Sequence, residues 1–227
     1  MEVYRVPVTI DVSVKEAVKT RFSNMDNPVT IKVFSTKDHC LMCNEMITMM
    51  ESVAELSDKI KLETCNCSPE AKKAKEYGIK RHPALAIEGD KDYGIRFFGI
   101  PAGKEFTSLI ETIMMVSTRE AGLSNDSLKL LKKLKKKVNI KVFVTLECPY
   151  CPAMVLLGQK IAFASDMVTT EMIEATQFTE LAAKYNVFGV PNTIINEQTR
   201  VEGLIPEKVL VEKILEAATK GPDPGII

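Results

Sequence analysis

Two stretches of this chain are near copies of one another. Residues 31–43 read IKVFSTKDHCLMC, and residues 140–151 read IKVFVTLECPYC. Each is a short apolar run that leads into a Cys-x-x-Cys pair. The step from Cys40 to Cys148 is 108 positions, and from Cys43 to Cys151 it is 108 again. YGIKRHP (77–83) and YNVFGVP (185–191) stand at the same step of 108, whereas Ile31 to Ile140 is 109. The first copy therefore has one extra residue between its strand and its cysteines. Landmarks held in step over half the chain predict two units of one architecture. Their junction is placed near residues 116–122, where SLIETIMMVS gives way to the turn-like AGLSND. The predicted domains are 1–117, with the CLMC pair, and 118–227, with the CPYC pair.

Length and composition fit that division. The 227 residues suffice for two units of about 110, each able to bury its own core. Hydrophobic content of 45% and charged content of 26% are those of an ordinary soluble protein. Thirty basic and thirty acidic residues cancel, so no global field favours nucleic acid or anionic lipid as a partner. The start, MEVYRVPVTIDVSVKEAVK, lacks the apolar core and small-residue cleavage site of a secretory signal. No run of about 18 apolar residues is present to span a membrane. A cytoplasmic location is expected, where thiols stay reduced. Six cysteines in that setting point to redox or metal chemistry before structural bridges.

Each unit parses the same way. SVKEAVKTRF is a helix opened by a Ser13/Glu16 capping box, and NDSLKLLKKLKKK is its counterpart, capped by Asn125 or Asp126. A β-branched strand follows, VTIKVF or NIKVFV, as suits a central parallel strand. The cysteines fall at the next turn, ahead of helices over about 42–56 and 153–164. A second strand (KIKLETC, VTTEMIE) and a second helix (PEAKKAKEYG, TELAAKYN) come next. After each proline lies a pair of short strands, ALAIEGDKDYGIRFFG and NTIINEQTRVEG, and a last helix closes the unit. The fold class is α/β, with a central mixed sheet between helices in each unit.

That placement suits cysteine chemistry. The thiolate is the nucleophile, and a helix N-terminus stabilises it through unpaired N–H groups and the aligned peptide dipoles. Cys148 ends a strand, and Pro149 is read at the first helical position, which proline favours. Cys151 then lies one turn inside the helix, close enough to bond Cys148. Cys148 is expected to be exposed and to attack, with Cys151 resolving; Cys40 and Cys43 form a second centre.

Cys-x-x-Cys after a βαβ-type strand resembles a thioredoxin-like redox motif. CPYC, with Val-Pro forty residues beyond it, is similar to glutaredoxin and thioredoxin units. Two units in tandem resemble the protein disulfide oxidoreductases of heat-loving archaea and bacteria, over essentially the whole chain. The resemblance implies thiol–disulfide exchange on protein substrates, with electrons from a thioredoxin-reductase-like flavoprotein and no bound cofactor or metal. It also implies that Pro83 and Pro191 follow cis peptide bonds and face the cysteines. His82 and Val190 would then pair with an extended substrate. The sequence departs from thioredoxin in having no Trp; the residue before the first cysteine is His39 in one unit and Glu147 in the other. CLMC lacks both the proline and the tyrosine of the other motif.

Other readings of these residues have less support. Four thiolates from the two Cys-x-x-Cys pairs would have to hold zinc across a gap far longer than the roughly 15–20 residues usual in such sites. Cys40 and Cys43 with Cys65 and Cys67 have closer spacing, and all four leave strands at one sheet end. The favoured alternative is that Cys65 and Cys67 are one small buried apolar residue and one loop thiol. Their counterparts, Ile173 and Ala175, are apolar. His39 would assist its neighbour only when protonated, and Glu147 is expected to face solvent. KLLKKLKKK is read as the solvated face of a helix with Leu128, Leu131 and Leu134 turned inward. CNEMITMM is read as core packing, with Met42 as a soft exposed surface for substrates. A non-catalytic redox-sensing or chaperone-like adaptor remains the alternative function.

Overall fold

β1 (Val29–Ser35) and β5 (Val138–Val144) share one burial pattern, in which alternate early residues and then three successive residues are covered. The likeness extends to polar packing. Lys32 donates to the Tyr77 hydroxyl at 2.8 Å and pairs with Glu88 at 2.7 Å. Lys141, its counterpart, pairs with Glu197 at 2.6 Å and lies over the Tyr185 ring. The protein is described here from a computed structural model, covering residues 10–37 and 40–220. The first unit continues with α2 (Cys43–Ala54), β2 (Ile60–Asn66), α3 (Lys72–Glu76), β3 (Ala84–Glu88), β4 (Asp92–Phe98) and α4 (Glu105–Thr118), all preceded by α1 (Val12–Phe22). The second repeats it as α5 (Asn125–Leu131), β5, α6 (Cys151–Ala164), β6 (Val168–Glu174), α7 (Thr179–Lys184), β7 (Asn192–Ile195), β8 (Thr199–Glu202) and α8 (Glu207–Ala217). No helix among the described residues is long and apolar enough to cross a membrane.

The strands form one eight-stranded sheet in the order β2-β1-β3-β4-β6-β5-β7-β8. The pattern of the first four is repeated by the last four. β3 and β7 run antiparallel to their neighbours, and the other strands all point one way. The seam is the parallel pairing of β4 with β6, from Ile95↔Thr170 to Phe98↔Ile173. Separate cores were expected for the two units. Instead one apolar cluster runs from Val18 and Phe22 through Ile95 and Met172 to Ile214. Once the half-sheets share a ladder, helices on one face pack across the seam, as α4 does on α6.

Local signals at two helix starts read differently in the structure. α1 begins at Val12 with Asp11 at the N-cap and no side-chain cap bond, so Ser13 lies inside the helix and the capping box is not formed. α5 is capped by Ser124, whose hydroxyl accepts from the Ser127 N–H, and not by Asn125 or Asp126. α5 also stops at Leu131, because the lysine-rich segment must turn into β5. Leu131 and Leu134 are still buried and the lysines around them exposed, as the sequence pattern requires.

Candidate active site

β5 ends at Val144, and a three-residue loop carries the chain to Cys148. α6 starts at Cys151, with Tyr150 at the N-cap and Pro152 in the first turn. Pro149 therefore lies ahead of the helix and not at its first position. The sulfurs of Cys148 and Cys151 are bonded, with Cα atoms 5.5 Å apart. The Cys151 N–H donates to Cys148 Sγ at 3.1 Å. The first sulfur thus occupies the place of a side-chain cap and uses an N–H that the helix leaves unpaired. Cys148 was expected to be exposed; it is only 7% exposed, and Cys151 is fully buried. The loop before it is covered by the first unit, whose Lys104 N–H donates to Leu146 O at 2.8 Å. Glu147 faces solvent, as expected.

In the first unit Cys40 and Cys43 are bonded with the same Cα separation, 5.5 Å. α2 begins at Cys43 behind Met42. Cys43 is buried and Cys40 half-buried. Met42 was read as the exposed residue of this motif, but it packs against the core, and Leu41 is the exposed one at 74%. A helix N-cap lies over its own first turn, so of the two residues between the cysteines the first is turned outward. His39 lies outside the described residues.

Both His82–Pro83 and Val190–Pro191 bonds are cis. Phe34 pairs with Ala84 and Phe143 with Asn192, so Pro83 lies beside the end of β1 and Pro191 beside the end of β5. Both prolyl loops and both cysteine pairs accordingly meet at one end of the sheet. Each βαβ crossover is right-handed by the general rule and lies on the same side of its unit, so α2 and α6 share a face. β1 and β5 are four strand spacings apart, which sets the centres roughly 19 Å from each other. Their surroundings differ. Phe188 (95% exposed) and Tyr150 (63%) put an apolar surface beside Cys148. The counterpart of Phe188 is Lys80, followed by Arg81 and His82. His82 is half-buried, its Nε2 lacks a hydrogen-bond partner among the described residues, and burial lowers its pKa, against a smaller opposing effect of Glu70.

Glu105, the first residue of α4, escaped the sequence reading. It is fully buried; its Oε2 accepts from the Ser108 hydroxyl at 2.6 Å, and Oε1 has no partner among the described residues. Burial pushes its pKa up to about 7, against the smaller effect of that hydroxyl. α4 and α6 pack side by side, with Thr112 donating to Gln159. The Lys104–Leu146 bond ties the start of α4 to the loop before α6, so the helices run parallel. Thr112 is two turns beyond Glu105, and Gln159 about two turns beyond Cys151, which sets this carboxyl level with Cys151. The acid of one unit thus serves the cysteine pair of the other. No motif signals it, since Glu105 reads as an ordinary first-turn residue.

Cys65 and Cys67 also depart from expectation, because they are bonded to each other. They are neither an isolated core residue nor a free loop thiol. Both stand on the β2 face that carries Phe34, packed against its cluster. Among the described residues no group of three or more His, Cys, Asp or Glu side chains is placed to share a metal ion.

A family profile described as a thioredoxin domain matches residues 138–216. The protein disulfide oxidoreductase from Aeropyrum pernix superposes with a TM-score of 0.86 at 29% identity, covering 95% of both chains. The NTD N/C domain of alkylhydroperoxide reductase AhpF from Enterococcus faecalis superposes with a TM-score of 0.85 at 27% identity, covering 91% of this chain and 100% of that one. NADH dehydrogenase of Bacillus subtilis is 23% identical over 217 residues, 95% of this chain and 39% of that protein. The alkyl hydroperoxide reductase AhpF-type protein of Pseudomonas aeruginosa is 23% identical over 206 residues, 90% of this chain and 37% of that protein. The chain spans less than two fifths of the length of these two relatives.

Proposed function

We propose that this chain, a thioredoxin-fold oxidoreductase of two tandem units, catalyses thiol–disulfide exchange on protein substrates. The Cys148 thiolate attacks a substrate disulfide, forms a mixed disulfide and displaces one substrate thiolate. Cys151 then attacks Cys148 Sγ, releases the reduced substrate and closes the Cys148–Cys151 bond. The observation that carries this reading is the Cys151 N–H aimed at Cys148 Sγ at the start of α6, which stabilises that sulfur as a thiolate. Glu105 accepts the Cys151 proton, a task for which a carboxyl titrating near neutrality is suited. Val190 and Pro191 hold an extended substrate segment beside Cys148, with Tyr150 and Phe188 as its apolar contact. Cys40 and Cys43, beside His82 and Pro83, form the second centre.

Electrons arrive from a thioredoxin-reductase-like flavoprotein in the cytoplasm. The likeness to part of the alkyl hydroperoxide reductases supports such a donor. The test is reduction of insulin by dithiothreitol. The wild type accelerates it, and a Cys148→Ser/Cys40→Ser variant does not. A wild type no faster than dithiothreitol alone would leave the adaptor reading in its place.

A further inference from the structure

Cys65 and Cys67 are absorbed by neither centre. Their Cα atoms are 5.6 Å apart, inside the range that a disulfide accepts. A structural staple explains them poorly. A bridge between residues two apart closes so short a loop that it takes little freedom from the unfolded chain. The second unit also builds the same backbone without it: Ala175 N–H donates to Val144 O at 2.8 Å, as Cys67 N–H does to Ser35 O at 2.9 Å. The two positions differ in their cover. The end of β6 lies mid-sheet, where a Cβ on Gly99 would stand 2.7 Å from Glu174 Cβ. β2 is the outermost strand of its half, and Cys65 and Cys67 are both partly exposed.

Position selects the partner. Cys65 pairs with Phe34, and Cys67 is hydrogen-bonded to Ser35, the last residue of the strand that leads to Cys40. Three residues beyond Cys67, the charge of Glu70 is felt at His82 of the prolyl loop. The couple therefore sits between the two loops that make up the first centre. Cys148, by contrast, is five strand spacings away, roughly 24 Å.

Building on the proposed function, we infer that Cys65–Cys67 is a third redox couple, which exchanges two electrons with Cys40–Cys43. The Cys40 thiolate attacks Cys67 Sγ, a Cys40–Cys67 bond forms, and Cys65 leaves as thiolate. Cys43 then attacks Cys40 Sγ, restoring Cys40–Cys43 and releasing the Cys67 thiolate. One disulfide is made and one broken, and the two protons lost by the first pair are taken up by the second. The first unit thereby stores a second pair of electrons beside its own centre.

The intermediate can be trapped. A full-length variant carrying Cys43→Ser, Cys65→Ser, Cys148→Ser and Cys151→Ser keeps only Cys40 and Cys67. After mild oxidation and digestion without reductant, an intramolecular Cys40–Cys67 peptide is expected. Two thiols that both remain free to alkylation, or are joined only between chains, overturn the inference. A Cys148→Ser/Cys151→Ser variant serves as the second test if the first fails to fold. Reduced and then given one equivalent of oxidised dithiothreitol, it should share the disulfide between the two pairs in a ratio also reached from the fully oxidised side. Cys65 and Cys67 held wholly in one state while Cys40–Cys43 cycles also overturns it. Insulin turnover by the wild type is read separately, so failure of the proposed function is distinguishable from failure of the relay.

Discussion

The Glu105 carboxyl binds its proton more tightly in the folded protein than in the unfolded chain, because burial moves it from 4.5 to about 7. Between those values the folded state holds more protons, so stability is highest below the window and falls as pH rises through it. The expected loss is on the order of 3 kcal/mol at most. Glu105→Gln should flatten this dependence, which urea unfolding at pH 5 and pH 8 measures. The same substitution should slow reduction through Cys148 and remove the rise of that rate around pH 7. A variant with the wild-type pH profile would take Glu105 out of the proton path. The two attacking cysteines should also differ. Pro149 and Tyr150 shape one motif, with the first unit packed over its approach, whereas Leu41 and Met42 shape the other at the sheet margin. Cys148→Ser is expected to lower insulin turnover about tenfold or more, a barrier change of ~1.4 kcal/mol, and Cys40→Ser to leave a large part. Equal losses would make the centres equivalent.

The segment between β4 and α4 joins the units where chemistry happens. Gly103 has φ +55, and a Cβ there would stand 2.6 Å from Leu146 O and 3.1 Å from Leu146 Cβ. Backbone and contact both exclude a side chain. Gly103→Ala should cost about 2 kcal/mol and lower the melting temperature by about 4 °C or more. Because Leu146 is two residues before Cys148, turnover through the second centre should fall further than turnover through the first. That comparison is made in Cys40→Ser and Cys148→Ser backgrounds. A melting temperature within a degree of wild type would show that the loop yields freely.

At the scale of the molecule, the seam between β4 and β6 holds two half-sheets in one ladder. Expressed alone, residues 1–117 would expose the edge of β4, and residues 118–227 the edge of β6. Such unpaired edges recruit other strands. The halves are expected to associate or precipitate where the intact chain stays monodisperse, as size exclusion with light scattering reads directly. Two well-behaved monomeric halves would show the seam to be incidental. The fixed spacing of the centres also suits one bulky substrate held at two points, since a tethered thiol acts at raised local concentration. The intact chain should reshuffle scrambled ribonuclease faster than an equimolar mixture of the halves.

The repeat, the order of elements and the four Cys-x-x-Cys cysteines were legible in the sequence, because each rests on a local pattern. An apolar strand, a turn and a helix start follow one another over a dozen residues, and the step of 108 shows them twice. The prolines were legible through their constant distance from the cysteines, in a family resemblance that the cis bonds match. What the pattern left open is non-local. DYGIRFF reads as a strand whether its outer edge is free or paired, so nothing in it announces β6 as a neighbour. From that one pairing follow the shared core, the covering of Leu146 and the near burial of Cys148. Glu105 became part of the second centre for the same reason: a first-turn glutamate acquires its pKa from what packs over it, and here that is the other unit. Cys65 and Cys67 show the same limit at closer range. Their two-residue spacing was visible, but a shared strand face on the open margin of the sheet brought the sulfurs together, and only the fold supplies that margin.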